Sequence, residues 1–207
     1  IIYKKIIKRK FNLKQRKKTQ RIAFLALFTA IIIIQNFIPF LGYIPLGPLN
    51  LTIIHITVIV AALVLGPKDG ALVGGVWGMI TFIRAFVWPT SPLATIVFTN
   101  PLVSVLPRIL IGVVAGYTFM WLSKRLSSKI LAAGVAAVLG SLTNTVLVLG
   151  QIYLFYQGQA PAMYALDVAA LLPYLLGVVA TNGLPEAALA AIIAPSVALP
   201  LLRKLKA

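Results

Sequence analysis

Only every second connection between the long apolar runs of this chain is basic. Ten of its 19 Lys and Arg lie within the first 21 residues. Beyond Arg21, cations sit in 66–70 (Lys68), in 123–129 (Lys124, Arg125, Lys129) and in the tail 203–206. The intervening connections, 39–50, 88–104 and 157–169, hold neither Lys nor Arg. Cytoplasmic loops of polytopic membrane proteins carry such an excess of cations, so the pattern predicts both termini in the cytoplasm.

A chain that is 60% apolar is too hydrophobic for a soluble domain of this size. A helix needs about 20 apolar residues to cross a bilayer core. Six such spans fit, at about 21–38, 51–66, 69–87, 104–123, 130–156 and 170–202. The last is long enough to tilt, or to break at Pro185 or Pro195. The expected fold is therefore all-α: a six-transmembrane-helix bundle over 21–207, preceded by a basic cytoplasmic segment over 1–20. That segment mixes Ile, Phe and Leu with its cations and reads as an amphipathic helix on the inner leaflet. It lacks the small-residue cleavage site of a signal peptide. The net charge of +16 is assigned to topology and anionic membrane lipid, not to nucleic acid.

Several chemistries lack their residues. No phosphate-binding loop of the GxxxxGK[ST] type occurs. The chain has one His, no Cys and three acids, Asp69, Asp167 and Glu186, far apart in sequence. A multi-His metal site and a thiolate site are thereby excluded, and neither GxSxG nor HExxH occurs, which argues against a serine or metal hydrolase. The expectation is a binding or permeation subunit with no enzymatic activity and no cofactor of its own.

Helix rise gives each polar residue a depth. Counted at about 1.5 Å per residue from the nearest basic residue of its span, Arg84, Arg108, Asn144 and Glu186 lie roughly 22–26 Å up. Asn36 and His55 lie roughly 20–22 Å up. All six spans thus place a polar residue at one height, in the half opposite the basic loops. Ionisable groups at such depth usually face a cavity or a partner. The layer sets two arginines against one glutamate, with Asp167 in the last outer loop. If Glu186 pairs with one arginine, the other needs an anion, and a guanidinium suits a carboxylate. Asn144, Asn182, Gln151, Asn36 and His55 would hydrogen-bond hydroxyls and amides, and Trp77, Trp88, Phe86 and Tyr43 would form apolar walls. A small, mono-anionic, hydroxylated solute fits this count.

Small residues recur at helical spacing. Gly70, Gly74 and Gly78, and Gly112 and Gly116, read as packing faces inside the bundle. Ala23, Ala26 and Ala30 on the first span read as a face for a partner subunit. The stretch 37–50, FIPFLGYIPLGPLN, is rich in Pro and Gly and uncharged, as expected of irregular backbone covering a cavity.

The segment NLTIIHITVIVAALVLGPKDGALVGGVWG (50–78), with its turn Gly66-Pro67-x-x-Gly70, resembles the substrate-binding S components of energy-coupling factor (ECF) vitamin transporters. The likeness extends over nearly the whole chain, and PLVSVLPRILIGVVAG (101–116) is most similar to the pantothenate-type members. This resemblance implies a subunit of the prokaryotic plasma membrane that captures a vitamin at the outer face. It implies association with a transmembrane T component and two cytoplasmic ATPases, which would hold ATP and Mg2+. It implies delivery by toppling of the whole subunit, with Ala23, Ala26 and Ala30 facing the T component. The loop holding Tyr43, Pro45, Leu46 and Gly47 would be a gate over the ligand. Substrate contacts are expected from Arg84, Arg108, Asn144, Glu186, Asn36, His55, Trp88 and Asn182. Pantothenate matches the charge count, having one carboxylate, two hydroxyls and an amide. Folate, biotin, riboflavin or pyridoxine as ligand, and a stand-alone secondary transporter, are the alternative readings.

Overall fold

The computed structural model describes residues 2–38, 40–46, 49–89, 92–159 and 168–206. Helix α1 runs Ile2–Phe37. A two-stranded antiparallel hairpin follows, β1 (Tyr43–Leu46) and β2 (Leu49–Thr52). The remaining elements are α2 (Ile54–Leu65), α3 (Pro67–Val87), α4 (Pro92–Val97), α5 (Pro101–Ser104), α6 (Leu106–Arg125), α7 (Lys129–Tyr156), α8 (Val168–Val178) and α9 (Leu184–Lys206). A wide π-helical turn, Val179–Gly183, joins the last two.

Among the described residues, five stretches are long and apolar enough to cross a membrane: Lys18–Phe37, Pro67–Val87, Pro101–Arg125, Lys129–Tyr156 and Ala170–Leu205. The expected second span is instead a 12-residue helix, Ile54–Leu65, roughly 18 Å long at 1.5 Å per residue. Its first two expected residues, Leu51 and Thr52, belong to β2. Ten of the 12 residues in α2 are buried, because α1, α3, α6, α7 and α9 all pack around it. A helix sheathed by protein need not match the bilayer thickness.

The loop expected to be irregular over 39–50 contains the hairpin. Leu and polar residues alternate along β2, and Pro45 is set opposite Asn50, where proline is tolerated because no ladder hydrogen bond is required. Gly47 lies outside the described residues, as does Asp167.

Gly66, at φ +102°, turns the chain between α2 and α3. That backbone conformation is open to glycine at little cost, and Pro67 then starts α3 at a position where its missing N–H costs nothing. The last span, expected to tilt or to break at Pro185 or Pro195, is not broken: it runs as one stretch, Ala170–Leu205, that widens into the π-helical turn just ahead of Pro185. Leu184 N donates to Val179 O, five residues back, widening the turn before a residue with no N–H to give. Helix α9 continues past Pro195 and Pro200.

Candidate functional site

The site is built on the crossing of α3 and α6. A Cβ added to Gly70 would meet Ala62 of α2, and one added to Gly112 would lie 2.2 Å from the Gly70 carbonyl carbon. At Gly74 it would fall 2.0 Å from the carbonyl oxygen of Arg108, and at Gly78 2.7 Å from Cα of Val105. At Gly116 it would fall 2.5 Å from Cα of Pro67. The two helices therefore run antiparallel with their backbones in contact, as small-residue faces permit. The glycine faces pack inside the bundle, as expected.

This contact sets the height and direction of Arg108, which is buried at 5% exposure. Its guanidinium lies over the rings of Trp77 and Phe98, at 5.1 and 5.2 Å from their centroids. Its Nη1 donates to Val103 O at 2.7 Å, while Nε has no partner. Arg84, one helix away, donates from Nη1 to the Asn36 carbonyl and lies over Phe37. Its Nε is also unpaired.

Above the arginines stands Tyr43, the first residue of β1. Burial pushes its phenol pKa up, and Arg108 and then Arg84 pull it back down. The hairpin is tied down at its open end. Ile53 N donates to Gly42 O at 2.9 Å, and Gln35 Nε2 donates to Leu41 O at 3.3 Å. Gln35 is itself fixed, accepting from Thr57 Oγ1 at 2.8 Å. Gly42 lies against the Gln35 carbonyl, where a Cβ would come within 2.1 Å.

Helix α7 supplies the facing wall. Ser141, Thr145, Val148 and Ile152 form its buried stripe, at the three-to-four spacing of one helix face. Ser141 Oγ lies 3.2 Å from His55 Nε2. Asn144 and Gln151 flank this stripe with Oδ1 and Oε1 unpaired. Val148 and Ile152, beside Gln151, pack in the same cluster as Val103, whose carbonyl holds Arg108.

Among the described residues, seven buried side-chain polar atoms have no hydrogen-bond partner: those of Asn36, His55, Trp77, Arg84, Arg108, Asn144 and Gln151. Five of these residues were expected as ligand contacts from their depth, and the other two were expected to line the same layer. A buried polar atom left unpaired costs about 1–3 kcal/mol, so native structures keep few of them. Their concentration in one layer makes this the candidate site.

Three expected contacts stand differently. Trp88 caps α3 at 69% exposure, apart from the cluster. Asn182 lies in the wide turn and accepts from its neighbour Thr181 at 3.1 Å. Glu186 is buried, yet among the described residues it forms no ion pair with either arginine. Its Oε1 accepts the backbone N–H of Thr52 at 2.7 Å, and Arg108 acts on it only electrostatically. The expected Glu–Arg pairing is thus replaced by a bond to the hairpin. Thr52, Ser141 and Phe98 were not foreseen. The spacing of Ser141 with Asn144 could have shown the second; nothing in the sequence marked Phe98.

At the other end of the bundle, Arg21 clasps Asp69 through Nε and Nη2 at 2.6 and 2.5 Å. Ala23, Ala26 and Ala30 are exposed on α1.

A family model described as the substrate-specific component of ECF transporters matches residues 20–198. A pantothenate transporter, PanT, of Leuconostoc mesenteroides subsp. mesenteroides is 36% identical over 175 residues, covering 82% of this chain and 85% of that protein. A pantothenic acid transporter, PanT, of Lactococcus lactis subsp. cremoris is 32% identical over 197 residues, covering 88% and 94%. Among solved structures, the S component for biotin from an ECF-type ABC transporter superposes with a TM-score of 0.51 at 15% identity, covering 91% and 93% of the two chains.

Proposed function

Because the chain belongs to the substrate-specific components of ECF transporters, multi-pass proteins of the cell membrane, we propose that it is the subunit that captures pantothenate for import. The relatives named as pantothenate transporters support this choice of vitamin. The observation that carries it is the layer of unpaired buried polar atoms around Arg108, Trp77 and Arg84. The guanidinium and indole groups only donate hydrogen bonds, so they call for an acceptor such as a carboxylate. The amides of Asn36, Asn144 and Gln151 can donate or accept, which suits hydroxyls and an amide. A ligand carrying both kinds of group, with a single negative charge, has the chemistry of pantothenate.

In this reading α2 is the sixth crossing, completed by the hairpin above it, and both termini lie in the cytoplasm. The hairpin covers the ligand from the outside. The exposed face of Ala23, Ala26 and Ala30 meets a T component, two ATPases supply the energy, and the subunit topples to release the vitamin inward.

Calorimetry on the purified chain in detergent, with pantothenate, folate, biotin, riboflavin and pyridoxine, tests the reading. One-to-one binding of pantothenate alone is expected. Preference for a neutral vitamin would overturn the ligand, and failure of all five would overturn the binding role. Arg108→Ala should weaken pantothenate binding by about 2 kcal/mol, roughly 30-fold, through loss of a charged hydrogen bond.

A further inference from the structure

Hydrogen-bonded and non-hydrogen-bonded pairs alternate along an antiparallel ladder. Ile53 N donates to Gly42 O, so the next pair inward, Tyr43 with Thr52, is a non-hydrogen-bonded one. Its N–H and C=O groups point away from the partner strand, and its side chains lie closest together. The Thr52 N–H therefore faces off the hairpin edge, in a part-buried place where it needs an acceptor.

The acceptor is Glu186, 134 residues away in sequence, at 2.7 Å. The acid is 7% exposed and sits in the first turn of α9, directly after the wide turn. A two-stranded hairpin alone is marginal. This one gains its hold from what grips its edges: Gln35 at the Leu41 end and Glu186 at Thr52.

We propose that Glu186 is a positioning residue for the hairpin and not a ligand contact. Its carboxylate latches β2 to α9, and the Tyr43–Thr52 pair passes that constraint across the ladder. Tyr43 is thereby held against Arg108 and Arg84, and the hairpin stays closed over the layer of polar groups. The consequence for ligand retention rests on the pantothenate reading above; the latch itself does not.

Two measurements on the full chain in detergent test it. The first is amide hydrogen exchange at Thr52 without ligand, which reports local opening. Glu186→Ala should speed this exchange by about tenfold or more, as expected when a hydrogen bond to a charged group is lost. Glu186→Gln keeps an acceptor oxygen and should stay close to wild type. Unchanged exchange in Glu186→Ala, or equally fast exchange in both variants, would overturn the latch. The second is the rate of pantothenate release. Glu186→Ala should release pantothenate roughly tenfold faster with little change in association rate, and Glu186→Gln should largely restore retention. Normal release from a loosened hairpin would overturn the positioning role. If Glu186→Ala does not fold, Thr52→Pro deletes the same bond from the donor side, and unchanged release there also overturns the proposal. A wild-type chain that ignores pantothenate would defeat the functional reading alone, since Thr52 exchange still decides the latch.

Discussion

At Arg108 three kinds of contact meet in one guanidinium. Two aromatic rings flank it, one backbone carbonyl takes an N–H from Nη1, and Nε is left unpaired. The rings and the carbonyl fix the plane of the fork, which is what bidentate recognition of a carboxylate needs. That geometry depends on a residue with no side chain. Gly74 lies against the Arg108 carbonyl, so Gly74→Ala must push the α6 backbone away. Overpacking of this kind costs about 1–3 kcal/mol. The expected outcome is a lowered thermal midpoint together with weaker pantothenate binding. Gly150 has open space around it, and Gly150→Ala should leave both unchanged.

Among the elements, α1 and α3 are joined twice, once at each end. Arg21 holds Asp69 at the basic end, and Arg84 reaches the Asn36 carbonyl at the other. Asp69 is buried while Arg21 is half exposed. Removing the arginine therefore leaves an uncompensated buried acid, and Arg21→Gln should destabilise more than loss of an exposed pair would. The swapped pair, Arg21→Asp with Asp69→Arg, should recover part of the thermal midpoint if the contact itself matters. No recovery would mean that the surrounding packing, and not the pair, sets the stability.

For the whole molecule, the charge alternation makes a prediction that the chain's own composition renders clean. It contains no Cys, so single cysteines report without background. Gln157 and Ser127 are both exposed at opposite ends of α7. Gln157→Cys should react with a membrane-impermeant maleimide in intact cells, and Ser127→Cys only after permeabilisation. The reverse pattern would invert the assigned topology. Much of the fold could be read in advance because long apolar runs and glycine spacing have only a few physical outcomes. Helix rise is fixed, so the sequence could set Arg108, Asn144 and Asn36 at similar heights along their helices, and all three carry unpaired buried polar atoms. The hairpin was not readable, since its ladder depends on a register and on an acceptor from the far end of the chain. Nor was the shortness of α2, because an apolar run of that kind looks alike whether lipid or protein surrounds it. Glu186 is buried as expected of an acid at that position, but its partner is the Thr52 N–H and not an arginine, since charge counting cannot see a backbone N–H.

The backbone contact between α3 and α6 also carries a mechanical consequence. Two helices meshed at Gly70, Gly74, Gly78, Gly112 and Gly116 have no side-chain cushion to slide on. They form a stiff plate, and Trp77, Arg84 and Arg108 ride on it as a fixed array. Any change of shape must then be hinged where the backbone is not interlocked, at the hairpin or at the wide turn before Pro185. Spin labels at Met79 and Met120, on the exposed sides of the plate, should keep one separation with or without ligand.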